Sequence, residues 1–157
     1  DKWDIAEEKQ RLQQHLDYFK TCLKKDQIVI NMKKIIYTSN APEPIGPYSQ
    51  AIVANGFLFA SGQIAINPEN NELNNPSLEE ETHQVMRNIK ALLIEAEYEF
   101  EHIIKTTIFL SDMSLFAQVN EIYGSYFKSD FPARETVAVK GLPKGVNVEI
   151  SITAYKA

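Results

Sequence analysis

Val146-Asn147-Val148-Glu149-Ile150-Ser151-Ile152-Thr153-Ala154-Tyr155 alternates without interruption. In an extended chain Val146, Val148, Ile150, Ile152 and Ala154 point one way, and Asn147, Glu149, Ser151 and Thr153 point the other. The stretch therefore predicts a strand whose apolar face packs on a core. Its polar face either meets water or lines something at a subunit interface.

Working upstream, Gly141-Leu142-Pro143-Lys144-Gly145 predicts a turn, and Arg134–Val139 a strand entered from Pro132. Leu115, Phe116, Val119, Ile122, Tyr123, Tyr126 and Phe127 follow a helical period, with Asp112 or Ser114 available as cap. Ile103–Leu110 is β-branched and reads as a strand. Ser77-Leu78-Glu79-Glu80 fits a capping box, and the periodic residues behind it predict a helix of about 19 residues. Asn67–Pro76 reads as a polar loop. Tyr48–Val53 and Phe57–Ile64 read as strands joined at Asn55-Gly56, a strong hairpin signal. Ala41–Pro47 is a loop holding three prolines, and Lys33–Tyr37 a first short strand. The order β-ββ-α-β-α-β-β predicts an α+β sandwich, with two helices on one face of a mixed sheet of about six strands.

Residues 1–31 read differently. Leu12, Leu16, Phe19 and Leu23 form one apolar helical stripe, extended upstream by Ile5, while Ile28, Val29 and Ile30 break the period. The segment reads as a docking or tag-like appendage, with a partner-binding or membrane-surface helix as the other reading. The chain starts at Asp1, whereas Met32 opens a well-patterned segment, so the expected division is an extension over 1–31 and a domain over 32–157.

Charge and motif content narrow the function. The net charge of −5 falls entirely on residues 32–157, which carry 10 basic and 15 acidic side chains. Such a balance is poorly suited to gripping a phosphate backbone. No apolar run is long enough to span a bilayer and no secretory leader is visible, so the expected location is the cytoplasm. The only cysteine, Cys22, lies in the extension, so residues 32–157 have no Cys/His nucleophile pair and a poor metal set. The six glycines form neither a dinucleotide nor a phosphate-loop spacing.

Chemistry must then run on carboxylates, hydroxyls, backbone amides and arginine. Beyond residue 31 there are two arginines against eight lysines. Arg87 lies inside the long helix, on a surface position. Arg134 follows Phe131-Pro132-Ala133, whose proline restrains the entry path; its guanidinium can grip a planar carboxylate with two parallel hydrogen bonds. A surface ion pair is the competing reading. Glu149, mid-strand on the polar face, can orient or deprotonate a water, or simply sit on a solvated sheet face. Thr136 shares the side of Arg134. Tyr48 either reaches a ligand or belongs to the core, and Ser61-Gly62-Gln63 marks either close ligand approach or a bulge. His83 and His102 read as surface or capping residues.

Six segments in order sharpen this reading: Gly46-Pro47-Tyr48-Ser49-Gln50-Ala51, Ser61-Gly62-Gln63-Ile64, Lys105–Leu110, Val119–Tyr123, Phe131-Pro132-Ala133-Arg134, and Leu142–Gly145 with Val148-Glu149-Ile150. The set closely resembles the RidA (YjgF) family of reactive intermediate deaminases, over residues 32–157. The resemblance implies a chorismate-mutase-like fold, a homotrimer with clefts between subunits, and hydrolysis of small 2-imino acids such as 2-iminopropanoate and 2-iminobutanoate to 2-keto acids and ammonia. It implies no cofactor and no metal. By motif, Arg134 binds the substrate carboxylate, Glu149 holds or polarises the attacking water, and Tyr48 closes the pocket. Ser61, Gly62, Asn120 and Thr136 line the substrate. Two positions depart from the usual motifs: Thr136 stands where many members have cysteine, and Ala65 where many have proline. The alternative is a non-catalytic sensor of small carboxylic acids with the same fold.

Overall fold

The computed structural model describes residues 5–25 and 33–157. Residues 33–157 form one compact unit, and the upstream segment another. Within the latter, helix α1 spans Ile5–Lys25, with Leu12, Leu16 and Tyr18 exposed along it. Ile28–Ile30 and Met32, where the sequence places the end of the extension, lie outside the described residues.

In the larger unit the strands are β1 (Lys34–Ile36), β2 (Ala51–Ala54), β3 (Phe57–Gln63), β4 (Ile66–Asn67), β5 (Glu72–Leu73), β6 (Ile103–Leu110), β7 (Ala133–Ala138) and β8 (Val148–Tyr155). Helices α2 (Leu78–Glu95) and α3 (Phe116–Gly124) complete it. Six strands make one mixed sheet in the order β1-β2-β3-β8-β6-β7, antiparallel except for the pair β6 and β7. The strand that alternates most cleanly in sequence is thus an inner strand, flanked by β3 and β6.

Its alternation is what closes the core. Val148, Ile150, Ile152 and Ala154 are buried with Val85, Met86, Ile89, Leu92 and Leu93 of α2. Each fully buried aliphatic side chain of this row contributes about 1.5–3 kcal/mol. α2 begins where the sequence placed it: the Ser77 hydroxyl accepts from the Glu80 amide, while Glu79, Glu80 and Glu81 lie in the first turn at the positive end of the helix dipole. The β2–β3 hairpin turns at Asn55 and Gly56, with φ of 50° and 76°. A Cβ on Gly56 would lie 2.5 Å from the Lys156 carbonyl oxygen, so both the turn and the packing ask for glycine here.

Four features correct the sequence reading. Tyr48, Ser49 and Gln50 precede β2 rather than forming its start, because Tyr48 N–H bonds the Gly46 carbonyl in a tight turn after Pro47. The stretch read as a polar loop, Asn67–Pro76, begins on the last residue of β4 and contains β5, and these two-residue strands form a separate small sheet. A single helix over 115–127 is instead a 3-10 turn at Met113–Leu115 followed by α3, with Asp112 capping the turn through the Ser114 amide. The face opposite the helices is also less polar than β8 implies: Phe57 and Phe59 on β3, Val137 on β7 and Tyr155 at the end of β8 are exposed.

Candidate functional site

Glu149 lies at the polar face of β8, opposite Phe109 in the ladder with β6. β3 bulges between Ala60 and Gln63, so Ser61 and Gly62 have no ladder partner on β8. The Glu149 carboxylate occupies the space this leaves: a Cβ on Gly62 would stand 1.8 Å from Glu149 Oε1. Burial raises the Glu149 pKa above the ordinary glutamate value, with no hydrogen bond or charge among the described residues acting on it.

These residues open into a cavity of about 290 Å³, lined also by Tyr48, Ser61, Gln63, Ile64, Ile66 and Pro143. Ser61 Oγ donates to the Ser49 carbonyl at 2.7 Å, so the hydroxyl fastens the cavity wall. Tyr48 is exposed, and its hydroxyl accepts from the Ile45 amide at 3.3 Å. The core-tyrosine reading of Tyr48 is thereby excluded.

Arg134 lies elsewhere. In the parallel β6–β7 ladder it pairs with Thr106, which in turn faces Ile152 across β8. Thr106 and Ile152 are buried under the helices, so Arg134 is on the helix face and Glu149 on the other. The guanidinium sits over the rings of Tyr123 (5.2 Å) and Phe116 (5.8 Å) of α3. It makes no salt bridge among the described residues, against the surface ion-pair reading. With Asn120, Tyr123, Gly124, Phe131 and Pro132 it lines a second cavity, of about 400 Å³. Tyr123 is itself fixed, donating to Thr106 Oγ1 at 3.1 Å. Thr136 lines neither cavity; its hydroxyl is buried and unpartnered among the described residues, on the same face as Arg134.

The two cavities thus lie on opposite faces of a single sheet. Tyr48, Ser61, Gly62 and Glu149 come together in one, Asn120 and Arg134 in the other. Of the remaining candidates, His102 caps the Glu99 amide through Nδ1 at 2.9 Å, and His83 Nδ1 meets the Tyr126 hydroxyl at 2.7 Å. Arg87 is held on the surface by Gln84 and Glu80. Among the described residues no cluster of three or more His, Cys, Asp or Glu could hold a metal ion, and no helix is long and apolar enough to cross a membrane.

Three supporting residues went unread in the sequence. Glu81 is fully buried, and its carboxylate accepts from the backbone N–H groups of Asn147 and Val148 and from Asn147 Nδ2, fixing the chain just before Glu149. Gln50 ties down the loop ahead of Tyr48, donating to the carbonyls of Thr38, Ala41 and Pro42 and accepting from the Thr38 amide. Asn88 donates to the carbonyls of Ile64 and Ile66 at 3.0 and 2.9 Å, anchoring a cavity wall. A signal for Glu81 and Asn88 does exist: both fall in phase with the apolar stripe Leu78, Val85, Leu92, where a polar side chain needs a buried partner.

The family described as endoribonuclease L-PSP, the YjgF/RidA family, matches residues 38–156. The chain belongs to this family. A RutC family protein of Pyrococcus horikoshii is 50% identical over 125 residues, which make up 80% of this chain and 99% of that protein. The crystal structure of the Rid family protein YyfA from Yersinia pestis shares 51% identity with a TM-score of 0.77, covering 79% of this chain and 99% of YyfA. E. coli TdcF, solved with bound serine, shares 35% identity with a TM-score of 0.76, over 79% of this chain and 99% of TdcF. The mixed sheet with its helices is the fold of these Rid structures.

Proposed function

We propose that the protein hydrolyses 2-imino acids to 2-keto acids and ammonia, at sites completed between neighbouring copies. The observation that carries the reading is the Glu149 carboxylate, half-buried, unbonded among the described residues and seated on Gly62 at the wall of a small cavity. A raised pKa suits a group that must take a proton and return it within one turnover. The separation of Arg134 from Glu149 by the sheet supports an assembly in which one copy supplies each half. A homotrimer, as the family resemblance implies, closes such a head-to-tail contact into a ring. The exposed apolar face with Phe57, Phe59, Val137 and Tyr155 supports a surface covered by another copy.

In this site Arg134 grips the substrate carboxylate through two parallel hydrogen bonds, held in place by the rings of Phe116 and Tyr123. Glu149 of the neighbouring copy holds a water against C2 of the iminium. As the water oxygen bonds to C2, one of its protons passes to Glu149, and the C=N electron pair moves to nitrogen. Glu149 then gives that proton to the nitrogen of the carbinolamine. As the C–N bond breaks and the C=O bond forms, it takes the hydroxyl proton and hands it to the departing ammonia, which leaves as ammonium. The iminium is already electrophilic, so orientation is the larger part of the task. The carboxylate contact is present before and after attack and serves mainly uniform binding. TdcF with its bound serine supports a cleft of this fold that accepts a small amino-acid-like ligand.

The family description names an endoribonuclease, yet 15 acidic side chains against 10 basic ones beyond residue 31 favour a small anionic substrate at one arginine over an RNA backbone. The test is the decay of freshly generated 2-iminopropanoate with the purified full chain. Accelerated ammonia release that disappears in Glu149→Gln supports hydrolysis. Retained ligand binding without turnover in the unaltered protein would overturn it in favour of a sensor.

A further inference from the structure

The cavity beside Glu149 has two unlike sides. Its catalytic side is polar, with Ser61, Gly62 and Glu149; its other side is formed by Pro42, Ile45, Ile64, Ile66 and Pro143. That apolar side is built on firm ground. Ile64 and Ile66 are buried in a small second core with Val146, against which Leu73 and Leu142 pack. Asn88 clamps the backbone of both isoleucines from α2. The opposite rim is Ile45, an isoleucine 67% exposed in a loop bounded by prolines, its amide held by the Tyr48 hydroxyl. An apolar side chain placed at a cavity mouth on a restrained loop gains contact area when an apolar group enters. No lysine or arginine lines this cavity, and its two titratable carboxylates are Glu43 and Glu149.

Resting on the imine-hydrolysis reading, we infer that this wall receives the substrate side chain and selects aliphatic 2-imino acids with side chains of three or four carbons over 2-iminopropanoate. Dicarboxylic imino acids are rejected, since a second carboxylate would meet two acids and no cation. Relative to a methyl group, the side chain of 2-imino-4-methylpentanoate adds three carbons, worth up to about 50-fold in kcat/KM at full burial and at least about tenfold at partial burial.

The test uses the full chain with imines generated in situ from alanine, leucine and glutamate by an amino acid oxidase with catalase, followed by trapping of the remaining imine. The inference expects a leucine-type to alanine-type kcat/KM ratio of about ten or more, and no measurable acceleration for the glutamate-type imine. Ile45→Ala, at an exposed position that does not endanger folding, should lower that ratio about three- to tenfold. A ratio near one with both aliphatic imines turned over, or rapid turnover of the glutamate-type imine, overturns this inference and leaves imine hydrolysis standing. Failure with every imine overturns the hydrolysis reading itself.

Discussion

Replacing Gly62 with alanine is the sharpest perturbation the structure offers. The new Cβ would lie 1.8 Å from Glu149 Oε1 and 2.8 Å from its Cδ. Both are the far end of a flexible side chain on a half-open face, so the carboxylate can move while the backbone stays. To regain ordinary contact the oxygen must retreat by about 1.5 Å, and a misplacement of about 1 Å in a positioned catalytic group costs roughly 100-fold in rate. Gly62→Ala is therefore expected to lower kcat/KM for a 2-imino acid by about 100-fold or more while changing stability by less than about 2 kcal/mol. The assay pairs imine decay kinetics with urea denaturation of the same protein. A second arm adds Glu149→Ala to Gly62→Ala: if the glycine acts only through the carboxylate, the double variant is no slower than Glu149→Ala alone. Undiminished turnover in Gly62→Ala, or a double variant clearly slower than Glu149→Ala, refutes the reasoning.

Arg134→Lys exchanges a two-pronged grip for a point charge and loosens the stacking on Tyr123 and Phe116; KM for the imine is expected to rise about 10- to 100-fold with a smaller change in kcat, read from saturation curves. Because burial raises the Glu149 pKa in the folded protein, the ionised carboxylate opposes folding above that pKa, and the opposition fades as pH falls through it and is gone below the unfolded value. Glu149→Gln should accordingly be more stable than the parent near neutral pH and lose this advantage in acid, as followed by denaturation across pH; the acidic limb of kcat/KM in the parent should lie above the ordinary glutamate range. Glu81→Ala strands the N–H groups of Asn147 and Val148 and the Asn147 side chain, and should cost about 3 kcal/mol in urea denaturation, with Glu81→Gln recovering part of it.

Much of this was legible where local rules and the global fold agree. The alternation of Val146–Tyr155, the Ser77 cap and the Asn55-Gly56 turn each act within a few residues of themselves, and each appears in the structure. Arg134 and Thr136 sharing a side followed from the strand period alone. The face on which they lie did not, because it depends on β7 joining β6 in parallel at the sheet edge, a long-range pairing with no local mark. The family resemblance sets Arg134 and Glu149 in one cleft between subunits, and within a single copy the sheet divides them. The run Tyr48–Val53 reads as one strand in sequence, but the turn after Pro47 and the bond from the Ile45 amide hold Tyr48 ahead of it. Glu81 carries no local mark beyond its phase with the apolar stripe of α2, because its partners lie 66 and 67 residues away.

The central claim is that Arg134 of one copy and Glu149 of another make one site. Co-expressing an Arg134→Ala chain with a Glu149→Ala chain tests it directly, with mixed assemblies verified by mass spectrometry. Each variant alone should retain only residual turnover, far below the level of the mixed assemblies. In random mixed rings about one site in four then receives both an intact arginine and an intact glutamate, so imine turnover should return to about a quarter of the parental level. Mixed assemblies that form and stay inactive would contradict the account.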